Sequence, residues 1–402
     1  MDLVPYAIPF FLLAIAIELA RDAYAKTGYY RTNDAINSLS LGVLSTTSKL
    51  VLIDIAGRVY AWVQQDLVIA EWRLEGWLSL VVAFVAYDFC YYWFHRISHE
   101  RRIFWAAHVA HHQSEEYNLT TALRQTSTGF LLGWLFYLPL FLLGMPADVF
   151  VTVASVNLIY QFWVHTRFIK TLGPLEYVLV TPMNHRVHHA RNSDYIDRNY
   201  GGFFILWDRL FGTYKAEDPR LPIDYGITRG LNSWNPLWAN VHVYSDMLSD
   251  TLRTPRLRDK LKVWYGRTVF VPPGVQKSPV QPGNHYDPPL GTSLKVYIGV
   301  QFFWLIALGL AMTYLAGQLG GWELSLMFAY LLASLVLLGW LMDAASPRWE
   351  WLRLMLSLPL IAILPAPFWV QAALFVLVAL SALFYVPLSR KPAGVLRTKG
   401  AN

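Results

Sequence analysis

Eleven histidines occur in the chain, and nine of them lie between positions 95 and 189 in a repeated spacing. His95 and His99 form an H-x-x-x-H box; His108, His111 and His112 form an H-x-x-H-H box; His185, His188 and His189 form a second one, with His165 standing between. Residues three and four apart share a helix face, so each box projects two or three imidazoles in one direction. Imidazole is the commonest metal ligand and suits iron, copper and zinc. Nine rings exceed what one tetrahedral or octahedral ion accepts, so two ions sharing the set is the expected count. A structural zinc site normally uses thiolates, and Cys90 is the single cysteine. Without metal the boxes would be polar rings lacking evident partners. His165 taken singly is weaker, because a lone histidine at a membrane edge is more often an interfacial or core residue than a ligand.

The elements that carry these boxes are apolar. Of 402 residues, 55% are hydrophobic and 15% charged, and the mean hydropathy is +0.33. Soluble domains carry about 25% charged residues. Disordered and disulfide-stapled classes are excluded by the aromatic content and the lone cysteine. The class left is an all-α polytopic membrane protein. Nine runs approach the roughly 20 residues a spanning helix needs: 4–20, 36–63, 74–94, 130–144, 147–164, 294–316, 322–342, 351–365 and 368–388. The fourth and fifth flank the turn Gly144-Met145-Pro146 and read as a helical hairpin; the fourth and eighth are short enough for half-spans. The first lacks a basic leading segment and a small-residue cleavage site, so it reads as a retained anchor.

Loop charge sets the orientation. Arg21, Lys26 and Arg31 follow the first run, and Arg390, Lys391, Arg397 and Lys399 follow the last. The positive-inside rule puts both on the cytosolic face, and nine spans then place 96–129 and 166–293 there too, as a histidine-rich di-metal cap. The expected division is 1–165 (N-terminal spans with the first boxes), 166–292 (cap with the last box) and 293–402 (C-terminal spans). Within 251–262, Arg253, Arg256, Arg258, Lys260 and Lys262 face one acid, Asp259. This stretch reads equally as an interfacial segment near anionic headgroups or as a solvated loop. The formal charge of +6 comes with no basic-aromatic module, so nucleic acid is not an expected partner.

The matching text is YDFCYYWFHRISHE (87–100), FWAAHVAHHQSEEYNLTTALRQ (104–125), YQFWVHT (160–166), LGPLEYVLVTPMNHRVHHARN (172–192) and IDRNYGGFFILWDRLFGTYKAED (196–218). These blocks resemble the membrane fatty acid hydroxylase/sterol desaturase superfamily. The stretches YNLTTALRQ, QFWVHT and LKVYIGVQFFW (294–304) point to its ether-lipid branch, the alkylglycerol monooxygenases. The resemblance implies that His95, His99, His108, His111, His112, His165, His185, His188 and His189 hold two iron ions. It also implies O₂ and a lipid as substrates and tetrahydrobiopterin as reductant, another external donor being the alternative, since nothing in the chain independently marks a pterin pocket. Glu100 becomes a candidate acid/base or outer ligand-sphere group, against pairing with Arg101 or Arg102. The last box departs from the usual H-H-x-x-H-H by placing Asn184 first. A carboxamide there binds through a water or orients one, and a tenth histidine ligand is missing unless His242 supplies it. His285, in the Pro/Gly-rich 271–291, reads as surface.

Metal-bound imidazoles usually donate their second N–H to a carboxylate or carbonyl. Asp88 lies two helical turns before His95, and a buried acid in a span is costly and usually functional, so it is the first candidate for that role. Asp197 and Asp208 are further candidates, or else partners of Arg198 and Arg209. Asn118, Thr120, Thr121, Arg124 and Gln125 either hydrogen-bond a glycerol or pterin, or cap and pack. No haem-attachment motif, dinucleotide fingerprint or nucleophile triad is present. A di-iron centre supplies the power to break an unactivated C–H bond. In an ether lipid the carbon attacked is the alkyl carbon beside the ether oxygen, and the hemiacetal so formed collapses to a fatty aldehyde and glycerol. The rivals are sterol C-4 or C-5 oxidation, fatty acyl or carotenoid hydroxylation, and a metal transporter, which would place histidines mid-span. A bacterial inner membrane and the endoplasmic reticulum both fit, with compact length favouring the former.

Overall fold

The computed structural model describes residues 1–52, 54–275, 285–344, 348–363 and 367–389. Seventeen α-helices follow in order: α1 Val4–Ala25, α2 Thr32–Val51, α3 Ile55–Asp66, α4 Gly76–Glu100, α5 Arg102–Ala106, α6 Val109–His112, α7 Leu119–Ala122, α8 Leu138–Leu142, α9 Ala147–Trp163, α10 Pro182–His188, α11 Leu206–Leu210, α12 Pro236–Arg253, α13 Leu257–Tyr265, α14 Thr292–Leu315, α15 Gly321–Met342, α16 Arg348–Ile363 and α17 Phe368–Ser389. Among the described residues there is no β-strand, only isolated bridges such as Leu179 with Phe204 and Ala190 with Tyr225.

Among the described residues five helices are long and apolar enough to cross a bilayer, α1, α4, α14, α15 and α17, making five spans, or six if α2 and α3 count together as one bent span. The protein is thus an all-helical, multi-pass membrane protein, with fewer full-length spans than the nine apolar runs suggest. The 130–144 run shows why. Instead of one helix it makes 3₁₀ turns at Gly129–Leu131 and Gly133–Phe136 and then the short α8. Glycine pays the largest backbone entropy in a helix and proline removes a donor, and this run carries Gly133 and Pro139 and ends at Gly144, whose φ is +78°. The neighbouring α9 is a single helix of 17 residues, and α16 has 16.

The chain forms two compact units, each built from discontinuous stretches. The first comprises 1–31, 54–230 and 241–282. Here α4 packs on α9 and α9 on α1, with Phe11 stacked on Phe162 at 4.2 Å. Ala83, Cys90, Tyr137, Leu140, Met145 and Val153 form a buried cluster beside α4. The other side of α4 exposes Trp77, Val81, Val85 and Phe89, a face suited to lipid. The second unit comprises 32–53, 231–240 and 283–402. Its core is Leu44, Ile298, Phe302, Leu305, Met312, Leu331, Leu335 and their neighbours. α2 brings a small, polar face to α14, its Ser40 and Thr47 hydroxyls donating to carbonyls one turn back. A Cβ on Gly309 of α14 would sit 2.8 Å from Val43 Cγ1, the close backbone approach that small residues permit between membrane helices.

Candidate metal centre

The nine box histidines all lie in the first unit, and they converge. Their nitrogens form two groups: His95, His99, His108, His112 and His188 in one; His111, His165, His185 and His189 in the other. Within each group every candidate ligand atom lies within 4.8 Å of the others. The H-x-x-x-H box ends α4 and supplies only the five-ring group. Each H-x-x-H-H box is split between the groups, so α6 with His108, and α10 with His189, serve both centres.

Eight of the rings are buried and His108 is partly so. Carbonyls orient four of them. His95 Nδ1 donates to Tyr200 O at 2.8 Å, His188 Nδ1 to Arg198 O at 2.9 Å, His111 Nδ1 to Arg124 O at 2.9 Å and His165 Nδ1 to Gln161 O at 2.8 Å. A carbonyl only accepts, so these rings carry their proton on Nδ1 and turn an Nε2 lone pair inward. The inward atoms lack partners or face one another. Nε2 of His95, His99 and His188 makes no hydrogen bond. His185 Nε2 sits 3.1 Å from His165 Nε2 and 3.2 Å from His189 Nε2, and His108 Nε2 sits 3.1 Å from His112 Nε2. One proton cannot satisfy three converging nitrogens, whereas one cation can. Burial, and after it the charge a neighbouring ring would carry, hold His112, His185 and His189 well below the ordinary imidazole range. Burial likewise lowers His111 to about 4. The rings are therefore neutral, the form that binds metal.

The supporting shell differs from expectation. Asp88 bonds no histidine; it accepts from Asn157 Nδ2, Phe203 N, Phe204 N and Trp207 Nε1, all at 2.8–3.0 Å. Asp208 accepts from Tyr200 N and Gly201 N, both at 2.7 Å, and from the Thr213 hydroxyl, not from Arg209. The two acids fasten 200–204 from both sides, and so fix the Tyr200 carbonyl on which His95 turns. Just upstream, Asp197 and Asn199 adopt left-handed φ of +60° and +55°. Asp197 Oδ1 is 3.9 Å from His99 Nδ1. The strap 197–200 thus meets His95, His99 and His188, three of the five rings in one group. Glu100 pairs with Arg96 at 2.8 Å, one turn back, and not with Arg101 or Arg102.

Asn118, Thr121, Arg124 and Gln125 lie beside the rings but direct their polar atoms to the chain. Asn118 caps α7 in a reciprocal box with Thr121, and its Oδ1 also accepts from the Thr120 hydroxyl. Arg124, fully buried, donates to Ala110 O and Gln113 Oε1, and Gln125 donates to Ala122 O. Capping and ligand binding use the same polar side chains, and here the capping use is the one visible. Asn184 donates to Leu179 O at 3.2 Å while its buried Oδ1 has no partner. His242 belongs to neither group; its Nδ1 faces Gln113 Nε2 at 3.4 Å. His285 is exposed.

Three residues escaped the sequence reading. Glu18, in the first span, accepts from Leu119 N at 2.8 Å and from the hydroxyls of Tyr30 and Thr166, tying α1 to α7 and to the residue after His165. Arg186, inside the last box, donates to Ile169 O and Lys170 O and pairs with Glu217, securing the loop that follows His165. Tyr117 stacks on His165 at 5.5 Å and donates to Val164 O. A charged residue inside an apolar run or a metal box was the available signal for the first two.

A multi-pass helical membrane protein with two buried, all-imidazole clusters has the architecture of a metal-dependent membrane oxidoreductase. The Fatty acid hydroxylase family profile matches residues 80–213, the segment that holds every ring. Alkylglycerol monooxygenase from Homo sapiens is 38% identical over 322 residues, 76% of this chain and 70% of that protein. The Danio rerio alkylglycerol monooxygenase is 36% identical over 351 residues, 85% and 77% of the two chains. An ornithine lipid hydroxylase from Rhizobium tropici is 31% identical over 166 residues, 39% of this chain and 47% of that one. No solved structure matches significantly. The chain belongs to the fatty acid hydroxylase superfamily and, within it, to the alkylglycerol monooxygenase family. It is an enzyme, a membrane lipid hydroxylase whose histidine clusters are suited to binding metal.

Proposed function

We propose that the nine rings hold two iron ions, one in the group of His95, His99, His108, His112 and His188 and one in the group of His111, His165, His185 and His189. The reading rests above all on the inward nitrogens, which have no hydrogen-bond partner at His95, His99 and His188 and converge on one another at His165, His185 and His189. Iron so held supplies, from O₂ and an external reductant, the oxidising power that an unactivated C–H bond demands. The substrate is an alkylglycerol lipid, hydroxylated on the alkyl carbon beside the ether oxygen. The product hemiacetal releases a fatty aldehyde and glycerol. The reductant is tetrahydrobiopterin. The clusters face the cytosol, a reading supported by the basic residues after α1 when α2 and α3 count as one bent span.

The chain's own residues perform three tasks in this scheme. The carbonyls of Tyr200, Arg198, Arg124 and Gln161 set ring orientation and tautomer, which raises ligand basicity. Burial of the rings keeps them unprotonated and excludes bulk water. Glu100, Asp88 and Asn184 act on the site by position: Glu100 as a charged neighbour of Asp197 at the end of α4, Asp88 through 203–207, and Asn184 through the unpartnered Oδ1 that can hold a water. The deciding experiment incubates the iron-loaded protein with 1-O-alkylglycerol, O₂ and a reduced pterin. Fatty aldehyde is the expected product. Full iron loading with no aldehyde under any reductant would remove the ether-lipid assignment.

A further inference from the structure

Helix α13 carries a surface that the reaction does not use. Leu257, Leu261 and Tyr265 follow at four-residue intervals on one face and are 73%, 57% and 57% exposed. The opposite side packs inward, with Val263 buried against Ala106 and Met247. Arg256, Arg258 and Lys262 are exposed beside the apolar row. Between 253 and 267 the chain has six cations, Arg253, Arg256, Arg258, Lys260, Lys262 and Arg267, against the single acid Asp259. Leu248 and Leu252 of α12, and Val269 beyond α13, extend the exposed apolar surface. A helix facing water alone has no use for such a row.

The position of α13 says what covers it. Thr268 N donates to Glu100 O at 3.1 Å, and Arg102 N donates to Gly266 O at 3.0 Å. Both bonds fasten the C-terminal end of α13 to the end of the spanning helix α4, at the depth where that span leaves the bilayer. Burying one apolar face among headgroups while flanking cations reach lipid phosphates is how an interfacial amphipathic helix binds. We propose that α13 lies in the membrane interface and binds anionic phospholipid headgroups through Arg256, Arg258, Lys260 and Lys262, with Leu257, Leu261 and Tyr265 inserted between the lipids. The assignment stands apart from the iron chemistry and does not need it.

The test uses the full-length protein with an environment-sensitive fluorophore on L261C; the natural Cys90 is buried. A second label on R220C, an exposed loop position, serves as the aqueous reference. In vesicles of phosphatidylcholine with phosphatidylglycerol, the 261 probe should resist iodide and be quenched by headgroup-proximal spin-labelled lipid. Spin-labelled phosphatidylglycerol should quench it roughly twofold or more better than spin-labelled phosphatidylcholine, and the R256S/R258S/K260S/K262S variant should lose that preference. Iodide access equal to that at 220 overturns the proposal. So does lipid contact without anionic preference. Shielding from iodide and lipid alike also overturns it and would point to a protein partner on this face.

Discussion

The ring of His188 has two separate tasks: Nδ1 donates to the Arg198 carbonyl, and Nε2, with no partner, faces four other imidazoles. In the other group His185 turns Nε2 toward His165 and His189, while its Nδ1 has no partner. Alanine at either position should therefore remove about one equivalent of iron, and both together should remove both. Metal analysis of the purified variants reads this directly; loss of all iron from H188A alone would mean one shared centre and not two. Asp208 offers a pH test in the apo protein. Burial, the largest cause, raises it from 3.8 to about 6, while bonds from Thr213, Tyr200 and Gly201 pull it back. A carboxyl whose folded value exceeds its unfolded one opposes folding once ionised, so the penalty is absent below 3.8, grows up to about 6 and is complete above. Relative to D208N, the wild type should lose thermal stability as pH climbs through that window and then run parallel. A difference that stays constant with pH would show that another group titrates.

At the scale of elements, what the sequence revealed and what it hid have physical causes. The boxes were readable because helical spacing forces i, i+3 and i+4 rings onto one face, and the long spans because hydropathy is a bulk property of some 20 residues. The 130–144 arm of the expected hairpin was misleading: mean apolarity survives Gly133 and Pro139, but helix continuity does not. Residues 118–125 were ambiguous in kind, since Asn and Thr cap a short helix with the same atoms they would offer a ligand. The two-group division was hidden because it depends on how the rings of α6 and α10 are brought together, a tertiary fact. Glu18 was visible but unread: within an apolar run an acid signals a partner, here Leu119 N, Tyr30 and Thr166. Glu18→Leu makes α1 more apolar, so insertion should be unimpaired, yet it strands the Leu119 N–H and the two hydroxyls. Each buried unsatisfied group costs about 1–3 kcal/mol. The melting temperature and iron content of E18L should both fall while membrane fractionation stays normal; unchanged melting would mean the hydroxyls find other acceptors.

For the whole molecule, the chemistry and much of the membrane bundle are lodged in different units, and the second holds its own buried charge. Glu350 and Arg353, one turn apart on α16, pair at 2.6 Å with almost no exposure. Arg353 also donates to Gln301 of α14, which in turn donates to Ser381 of α17, and the Tyr297 hydroxyl donates to Glu350. Three helices thus meet at one polar knot inside an apolar cluster. Such a pair contributes little net stability compared with well-packed apolar residues, but breaking it is costly, because one charge is left buried and unpaired. Arg353→Met alone should destabilise the second unit by about 3–5 kcal/mol, whereas Glu350→Leu with Arg353→Met should return most of it. A thermal-unfolding cycle over the four forms measures the coupling. If the double variant is as unstable as R353M, the pair is not merely balancing its own desolvation, and the knot sets the register in which α14, α16 and α17 assemble.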